Sequence, residues 1–256
     1  MLNKQKKYFG QHFLKNKKIL EEMARSAEVS KQDIVLEVGP GLGSLTEILA
    51  EHAGKVISVE KDRDLIPYLQ EKFGNQKNIK IIQGDILKLP SLRRRGLGEV
   101  NYKIVANIPY YITSRFLRIF LSNSKVRLKL MVLMVQKEVA ERICAKPPKM
   151  NLLALSVQAY AKPEIIRRVP KNFFSPPPKV DSAILKLSLF TSTPPLLLKD
   201  GTQEKILSVA RIAFQQKRKM LRHSLKNKLS TSDVDRFGNK RPEELALEDW
   251  VKIVVK

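Results

Sequence analysis

The chain has 256 residues, of which 43% are hydrophobic and 29% are charged, a composition typical of a folded globular protein. Its 48 Lys and Arg residues against 25 Asp and Glu give a formal net charge of +23, which favours a polyanionic partner such as nucleic acid. No apolar run is long enough to span a bilayer, and the basic N-terminus lacks the apolar segment of a secretory signal. The single cysteine, Cys144, excludes an internal disulfide, and three scattered histidines offer no metal-ligand spacing. We therefore expect a cytoplasmic protein without a metal site.

The first 18 residues mix lysines with aromatic and aliphatic side chains, which a merely solvated tail would not require. This mixture favours a segment that lies against RNA or folds over a ligand, although His12 alone would be interpreted as structural. A helix with one apolar face is predicted to follow, from about Ile19 to Ala27. The mixed residues are Lys4, Lys6, Lys7, Tyr8, Phe9, Gln11, His12, Phe13, Leu14, Lys15, Lys17 and Lys18.

A glycine-rich turn connects the first predicted strand, 34–38, to a helix that carries Leu45, Ile48 and Leu49. The turn, Gly39-Pro40-Gly41-Leu42-Gly43, has the spacing G-x-G-x-G, whereas the dinucleotide-binding motif is G-x-G-x-x-G. A pyrophosphate is bound by the amides of a helix N-terminus. A tight glycine turn without that spacing indicates instead a close backbone approach to a neutral or zwitterionic ligand.

Polar side chains follow the next three predicted strands at the points where the strands end. Glu60 follows the strand 56–59, about 20 residues beyond the glycine turn, where an acid can accept from both ribose hydroxyls. Asp85 follows the strand 79–82, and Asn107 follows the strand 103–106. Strands that alternate with helices predict a doubly wound parallel sheet, whose carboxyl edge would hold all of these groups. The alternative is that Glu60 and Asp85 are helix caps or solvated loop acids.

The stretch Asn107-Ile108-Pro109-Tyr110 combines two hydrogen-bond acceptors with an aromatic ring. The Asn107 side-chain oxygen and the Pro109 carbonyl could accept both protons of an exocyclic amine, and Tyr110 could stack on the base that carries it. We therefore predict that Asn107, Pro109 and Tyr110 form a catalytic site for adenine. The alternative is a strand end closed by a proline turn, with a tyrosine left at the edge.

Beyond this stretch the pattern predicts helices at 114–121, 138–144 and 152–161 and a fully buried strand at 128–135. Two further strands, 163–170 and 180–189, have no helix between them, which predicts an antiparallel pair at the sheet edge. The connection between them contains Phe173 and Phe174, and Phe174 is a candidate for a second aromatic wall of the base site. Core packing is the alternative for both rings. Arg93, Arg94 and Arg95 are assigned only a minor role in RNA binding.

The sequence Ser192-Thr193-Pro194-Pro195 predicts a boundary between a main domain, 1–192, and a helical domain, 193–256. Helices are predicted at 204–214 and 217–229, and short ones at 243–245 and 247–254. The helix 217–229 carries six basic residues and no acidic one, and Met220, Leu221, Leu225 and Leu229 are its predicted buried face. We expect an RNA contact in preference to a solvated face. The residues assigned to this contact are Lys217, Arg218, Lys219 and Arg222.

The sequence resembles the small-subunit ribosomal RNA adenine-N6 dimethyltransferases over essentially the whole chain, and six stretches carry the resemblance. Four stretches also occur in the related macrolide-resistance methyltransferases that act on large-subunit rRNA, whereas two C-terminal stretches are more similar to the small-subunit branch. The four shared stretches are 10–14, 36–43, Asn107–Tyr110 and 174–182, and the two others are 213–221 and 241–245.

The resemblance implies a seven-stranded, mostly parallel, Rossmann-like class I methyltransferase sheet and S-adenosylmethionine as methyl donor. It implies dimethylation at N6 of two neighbouring adenosines near the 3′ end of small-subunit rRNA, by a monomer with a role in subunit biogenesis. The reaction would be a direct in-line transfer without a strong general base. The alternatives are a large-subunit rRNA methyltransferase and a non-catalytic RNA-binding assembly factor. The implied cofactor residues are His12, Leu14, Gly39, Gly41, Glu60, Asp85 and Asn107, and the implied substrate residues are Tyr110, Phe174, Lys217, Arg218, Lys219 and Arg222.

Overall fold

The computed structural model describes residues 12–14, 16–88, 101–122, 128–190, 201–226, 232 and 236–255. These residues form two compact units. The first comprises the described residues up to Ala140 together with Glu164–Leu189, and the second comprises Glu141–Pro163 with the described residues from Phe190 onwards. The segment 141–163 therefore joins the helical unit, whereas the boundary predicted after Ser192 lies outside the described residues, as do the three arginines at 93–95.

The first unit is built on a seven-stranded sheet, with two short strands beside it that form a separate pair. The four neighbouring pairs β3–β4, β2–β3, β2–β5 and β5–β6 are parallel, and β6–β9 is antiparallel, so the prediction of a doubly wound, mostly parallel sheet is confirmed. The strand order is β4-β3-β2-β5-β6-β9-β7. The strands are β1 (Phe13–Leu14), β2 (Ile34–Val38), β3 (Lys55–Glu60), β4 (Ile79–Gln83), β5 (Tyr102–Asn107), β6 (Leu128–Gln136), β7 (Ala161–Val169), β8 (Phe174–Ser175) and β9 (Ser182–Leu189).

Within the described residues, the helices for which bounds were predicted begin and end within a few residues of those bounds, with one exception described below. They are α1 (Lys17–Ser26), α2 (Ser44–His52), α3 (Ile66–Phe73), α4 (Thr113–Leu121), α5 (Lys137–Ile143), α6 (Leu152–Gln158), α7 (Thr202–Gln215), α8 (Leu221–Ser224) and α9 (Leu247–Val254). Helix α1 begins two residues before the predicted start because the Asn16 side chain accepts from Ile19 N at 3.2 Å and caps the first turn.

The core of the first unit lies between α1, α2 and the central strands. Ile19, Leu20 and Met23 of α1 pack against Leu45, Ile48 and Leu49 of α2 and against buried residues of β2, β5 and β6. Since the parallel strands are covered, their sequences are apolar along almost their whole length. Because β2, β3, β4 and β5 run parallel to one another, the loops that follow them share one edge of the sheet.

The prediction of a helix at 217–229 is wrong for residues 217–220. Residues 217–219 form a turn in which Lys219 N donates to Gln216 O at 2.8 Å, and Met220 is extended and 36% exposed. Helix α8 begins at Leu221, whose amide donates to Lys240 O at 2.9 Å. In a continuous helix Arg218 would face Arg222 four residues on, and such a like-charge pair is destabilising, whereas the Lys240 segment supplies an alternative partner. Leu221 and Leu225 are buried as predicted, whereas Leu229 lies outside the described residues.

The core of the second unit is formed by α6, α7, α8 and α9. Trp250 is its largest fully buried side chain and lies 6.1 Å from the Phe214 ring, measured between centroids. Ile206, Ala210 and Ala213 of α7 pack in the same cluster. The short C-terminal helices predicted at 243–245 and 247–254 are confirmed as a 3-10 turn, Pro242–Glu244, and α9.

Candidate active site

A cavity of about 470 Å³ lies at the carboxyl edge of the sheet in the first unit. This volume is within the range of small-molecule sites. The loops after four neighbouring strands contribute to its wall, together with β1 and Ser175. The structure thus brings together every residue predicted for cofactor binding or catalysis, namely His12, Leu14, Gly39, Gly41, Glu60, Asp85, Asn107, Pro109 and Tyr110.

The glycine turn owes its shape to a left-handed backbone at Gly39, Gly41 and Gly43, with φ of 67°, 58° and 79°. A Cβ atom on Gly41 would lie 2.7 Å from the Phe13 ring, and one on Gly43 would lie 2.5 Å from the Phe73 ring. Side chains are therefore disfavoured by conformation at all three positions and by space as well at Gly41 and Gly43. The consequence is a backbone wall that a ligand can approach closely.

Glu60 is buried at the end of β3, and both of its carboxylate oxygens accept hydrogen bonds from the backbone. Oε2 accepts from Gly41 N at 3.2 Å, and Oε1 accepts from Asp62 N at 2.8 Å. Burial raises the pKa of Glu60 above its ordinary value, although these backbone hydrogen bonds act against the shift. Since a carboxylate has about four acceptor positions, the group can still accept from a diol.

Asp85 lies after β4 and is paired with Lys61, a residue that was not predicted from the sequence. Asp85 Oδ2 lies 3.1 Å from Lys61 Nζ, and Oδ1 accepts from Leu87 N at 3.0 Å. Partial burial opposes ionisation, but the hydrogen bond from Leu87 and the ion pair outweigh it, so the pKa of Asp85 lies below its ordinary value. The only signal for Lys61 in the sequence was a basic residue directly after Glu60.

Asn107 is oriented by a hydrogen bond from its Nδ2 atom to His12 O at 3.1 Å. This bond uses the donor end of the amide, so the acceptor, Oδ1, is the end that remains for a ligand. The Pro109 carbonyl accepts from Ile112 N at 3.1 Å and retains a second lone pair. The residues of both predicted acceptors therefore line the cavity at the end of β5.

The Tyr110 side chain is held by one contact at its hydroxyl and another at its ring. Its hydroxyl is 2.7 Å from Ser182 Oγ, and its ring is stacked with that of His12 at a centroid distance of 5.9 Å and an interplanar angle of 21°. His12 is fixed in turn, because its Nδ1 atom donates to Pro176 O at 2.8 Å. A ring held in this way is a rigid platform for stacking.

Phe174 does not reach the cavity wall. It is 4% exposed and packs in the main core, against which the partly buried Phe173 also packs. The reason is the pairing of β1 with β8, in which Leu14 stands opposite Phe174 and Phe13 opposite Ser175. Because successive side chains of a strand point to opposite faces, Ser175 lines the cavity and Phe174 turns to the core. The proposed second aromatic wall is thus not found at this residue.

Glu37 is a further residue of the cavity wall that was not predicted from the sequence. It is buried at the end of β2, and its Oε2 atom accepts from Thr46 Oγ1 and Ser58 Oγ, each at 2.7 Å. Burial raises its pKa to about 7, against the effect of the two hydroxyl donors. The available signal was an acid inside an apolar strand, two residues before the glycine turn.

Replacing Glu37 by Gln is expected to remove a pH dependence of folding stability. Because the pKa of Glu37 is raised from 4.5 to about 7, its favourable contribution is complete below pH 4.5 and is lost as pH rises through 7. The loss is about 3 kcal/mol. Glutamine does not ionise, and its oxygen can still accept from Thr46 and Ser58. The difference in urea midpoint between parent and variant should therefore shift in favour of the variant between pH 4.5 and 8, and a constant difference would contradict the assignment.

The four basic residues assigned to RNA contact are all exposed. Lys217, Arg218 and Lys219 lie in the turn after α7, and Arg222 lies in α8, where its Nε atom donates to His223 Nε2 at 3.3 Å. Unlike the predicted single helix face, this arrangement presents the cations from a turn and a short helix. None of these four cations is a partner in the ion pairs between described residues.

Within the described part of the chain, no three or more His, Cys, Asp and Glu side chains are grouped so that they could hold a metal ion. The same residues include no helix with the length and apolarity needed to cross a membrane.

A doubly wound sheet with a glycine turn and acidic strand ends around one cavity defines a Rossmann-like class I methyltransferase. The model of the ribosomal RNA adenine dimethylase family matches residues 2–254. The chain therefore belongs to the ribosomal RNA adenine dimethylase family and is an rRNA-modifying methyltransferase.

Relatives of known sequence and structure support the same assignment. The chain is 42% identical to ribosomal RNA small subunit methyltransferase A of Dehalococcoides mccartyi, over 99% of this chain and 88% of that protein. It is 40% identical to the protein of the same name from Clostridium botulinum, over 96% and 92%. A dimethyladenosine transferase from Plasmodium falciparum superimposes with a TM-score of 0.81 at 27% identity, covering 94% of this chain and 96% of that one. The 23S rRNA methyltransferase ErmE gives 0.77 at 25% identity, covering 95% and 100%.

Proposed function

We propose that this enzyme transfers methyl groups from S-adenosylmethionine to N6 of two adjacent adenosines near the 3′ end of small-subunit rRNA. The observation that carries the proposal is the orientation of Asn107, whose acceptor is left for a ligand beside the Pro109 carbonyl and the fixed ring of Tyr110. Two acceptors and a platform suit a planar base with an exocyclic amine.

The cavity wall fits the proposed methyl donor. Glu60 has acceptor positions left for a ribose diol, Asp85 is ionised and can accept from an adenine amine, and the turn at Gly39 allows a close approach of the amino-acid portion. When bound, S-adenosylmethionine supplies an electrophilic methyl group on a sulfonium. Glu60, Asp85 and the turn at Gly39 would hold this group at the edge of the sheet on which Asn107 lies.

Positioning and electrostatics account for the proposed chemistry. The lone pair of an adenine amine is delocalised into the ring, so the nitrogen is a poor nucleophile. Acceptance of its two protons by Asn107 Oδ1 and Pro109 O favours a pyramidal nitrogen whose lone pair points at the methyl group. Tyr110 holds the plane of the base by stacking, and alignment of the reacting atoms lowers the barrier. The proton is lost after transfer from a cationic nitrogen, for which a strong general base is not required.

The choice of the small subunit rests on the relatives. The relatives named small-subunit methyltransferases are about 40% identical to the chain over nearly its whole length, whereas ErmE is 25% identical. The test is incubation of the enzyme with labelled S-adenosylmethionine and unmethylated small or large ribosomal subunits, followed by mapping of the modified nucleotides. Label confined to large subunits would favour the large-subunit alternative, and binding without any label would favour an assembly factor.

The second unit is proposed as an RNA-contacting domain, and the working enzyme as a cytoplasmic monomer. Lys217, Arg218, Lys219 and Arg222 are exposed cations that can contact phosphates without discriminating between sequences. Changing all four to Gln should weaken RNA binding and reduce its salt dependence by up to about 0.7–0.9 log units for each phosphate that is no longer neutralised. The affinity for S-adenosylmethionine should stay the same. The measurement is a titration of RNA binding at several salt concentrations.

A matched control separates local phosphate binding from net charge. Lys31, Lys77, Lys80 and Lys129 are exposed and lie near the amino ends of β2, β4 and β6, at the edge of the sheet opposite the cavity. Changing these four to Gln removes the same charge. Equal salt slopes for the two quadruple variants would mean that the 217–222 cluster acts only through its contribution to the net charge.

A further inference from the structure

Two consecutive tyrosines of the cavity wall have opposite environments. Tyr110 is held by Ser182 and His12, whereas Tyr111 is 62% exposed. Four large hydrophobic side chains of the described residues are exposed, namely Tyr111, Val180, Met220 and Val255. Of these, Tyr111 is the most exposed and is the one that lines the cavity. Single exposed apolar residues need no explanation in general. An exposed ring that lines a proposed base-binding cavity, however, can stack on a base.

The local backbone keeps Tyr111 at the surface. The 3-10 turn Tyr110–Ile112 leads into α4, and Ile112 and Thr113 are both buried. The residues before and after Tyr111 are therefore fixed to the body of the unit, and the Tyr111 ring stays outside. Consecutive Cα atoms are about 3.8 Å apart, so the two rings belong to neighbouring positions at the rim of the cavity.

Exposed cations continue the surface on which Tyr111 lies. Arg115 and Arg118 are exposed on α4, which begins two residues after Tyr111, and their separation of three residues places them on one face of that helix. An aromatic ring with basic side chains beside it is the combination that binds single-stranded nucleic acid, since the ring stacks on a base and the cations contact the backbone.

We propose that Tyr111 stacks on the base next to the adenosine held on Tyr110, with Arg115 and Arg118 contacting the phosphates of the same strand. This inference rests on the proposed function. A base that enters the cavity leaves its neighbour without a stacking partner, and unstacking costs a few kcal/mol. The Tyr111 ring replaces that partner. Because the two target adenosines are adjacent, the neighbour of one target is the other target, and Tyr111 holds it while its partner reacts.

The test is a double-mutant cycle between Tyr111 and the neighbouring base. The probes are single-stranded RNA oligonucleotides with two adjacent adenosines, in which the nucleotide on one side or the other of the target is made abasic. Tyr111→Ala should weaken binding of the intact RNA between about 5- and 150-fold, which is the equivalent of about 1–3 kcal/mol for one stacked base. Tyr111→Phe keeps the ring and should restore the affinity. Val180→Ser, at an exposed residue outside the cavity wall, is the control for loss of exposed apolar surface.

The expected result is energetic coupling between Tyr111 and the nucleotide on only one side of the target adenosine. An abasic nucleotide on that side should lower the affinity of the parent enzyme and leave that of Tyr111→Ala unchanged. With unmethylated small subunits, Tyr111→Ala should also reduce the fraction of molecules modified at both adenosines more than the fraction modified at one. Additive effects on both sides would overturn the role of Tyr111 while leaving the proposed function intact. Absence of methylation by the parent enzyme would instead count against the proposed function itself.

Discussion

Replacement of Asn107 by Ala is expected to lower the rate of methyl transfer at least about 100-fold while RNA affinity changes little. In the proposed mechanism the Asn107 side chain supplies one of two acceptors for the amine, and removal of one preorganised hydrogen-bonding group of this kind costs about 10²–10³ in rate. The cations proposed to contact RNA are other residues, so binding should persist. Single-turnover kinetics with saturating S-adenosylmethionine measures the chemical step directly.

Asn101→Ala is the matched control, because Asn101 is exposed and precedes the same strand, β5, that Asn107 ends. A second variant tests the orientation of the amide. Asn107→Asp keeps an acceptor but places an oxygen against the His12 carbonyl, to which Asn107 now donates. It should therefore lose activity as well, although it retains the acceptor. A near-normal single-turnover rate for Asn107→Ala would remove the acceptor mechanism.

The sheet and its active edge could be predicted because the sequence carries them locally. The apolar stretches that became β2, β3, β4 and β5 are each followed by a glycine turn or a polar side chain. In a parallel sheet these ends share one edge, so topology alone brings Gly39, Glu60, Asp85 and Asn107 together. No long-range contact had to be known in advance.

The features that were missed depend on pairings between distant parts of the chain. The direction of Phe174 is set by its register with Leu14 in a two-stranded pair, which no local pattern indicates. The ion pair between Lys61 and Asp85 joins the loops that follow two strands. The start of α8 is set by the amide of Leu221, which donates to Lys240 O. In each case a tertiary partner overrides or adds to the local pattern.

Replacement of Glu60 by Ala is expected to weaken S-adenosylmethionine binding at least about 100-fold. Two hydrogen bonds from a ribose diol to a carboxylate are charge-assisted, and each is worth about 1.5–3 kcal/mol. The variant also frees the amides of Gly41 and Asp62 from their present acceptor. Loss of these bonds loosens the glycine turn and adds to the effect. Calorimetric titration with S-adenosylmethionine measures the affinity.

The control must separate removal of a ligand hydrogen bond from removal of a charge and from a damaged fold. Glu51→Ala removes the same charge from an exposed position of α2 outside the cavity wall and should leave the affinity unchanged. The unfolding midpoint of Glu60→Ala without cofactor shows whether the turn still folds. If the variant is folded and binds S-adenosylmethionine as tightly as the parent, Glu60 is not part of the cofactor site. The acid at the end of β3 would then serve only to hold the glycine turn through the amides of Gly41 and Asp62.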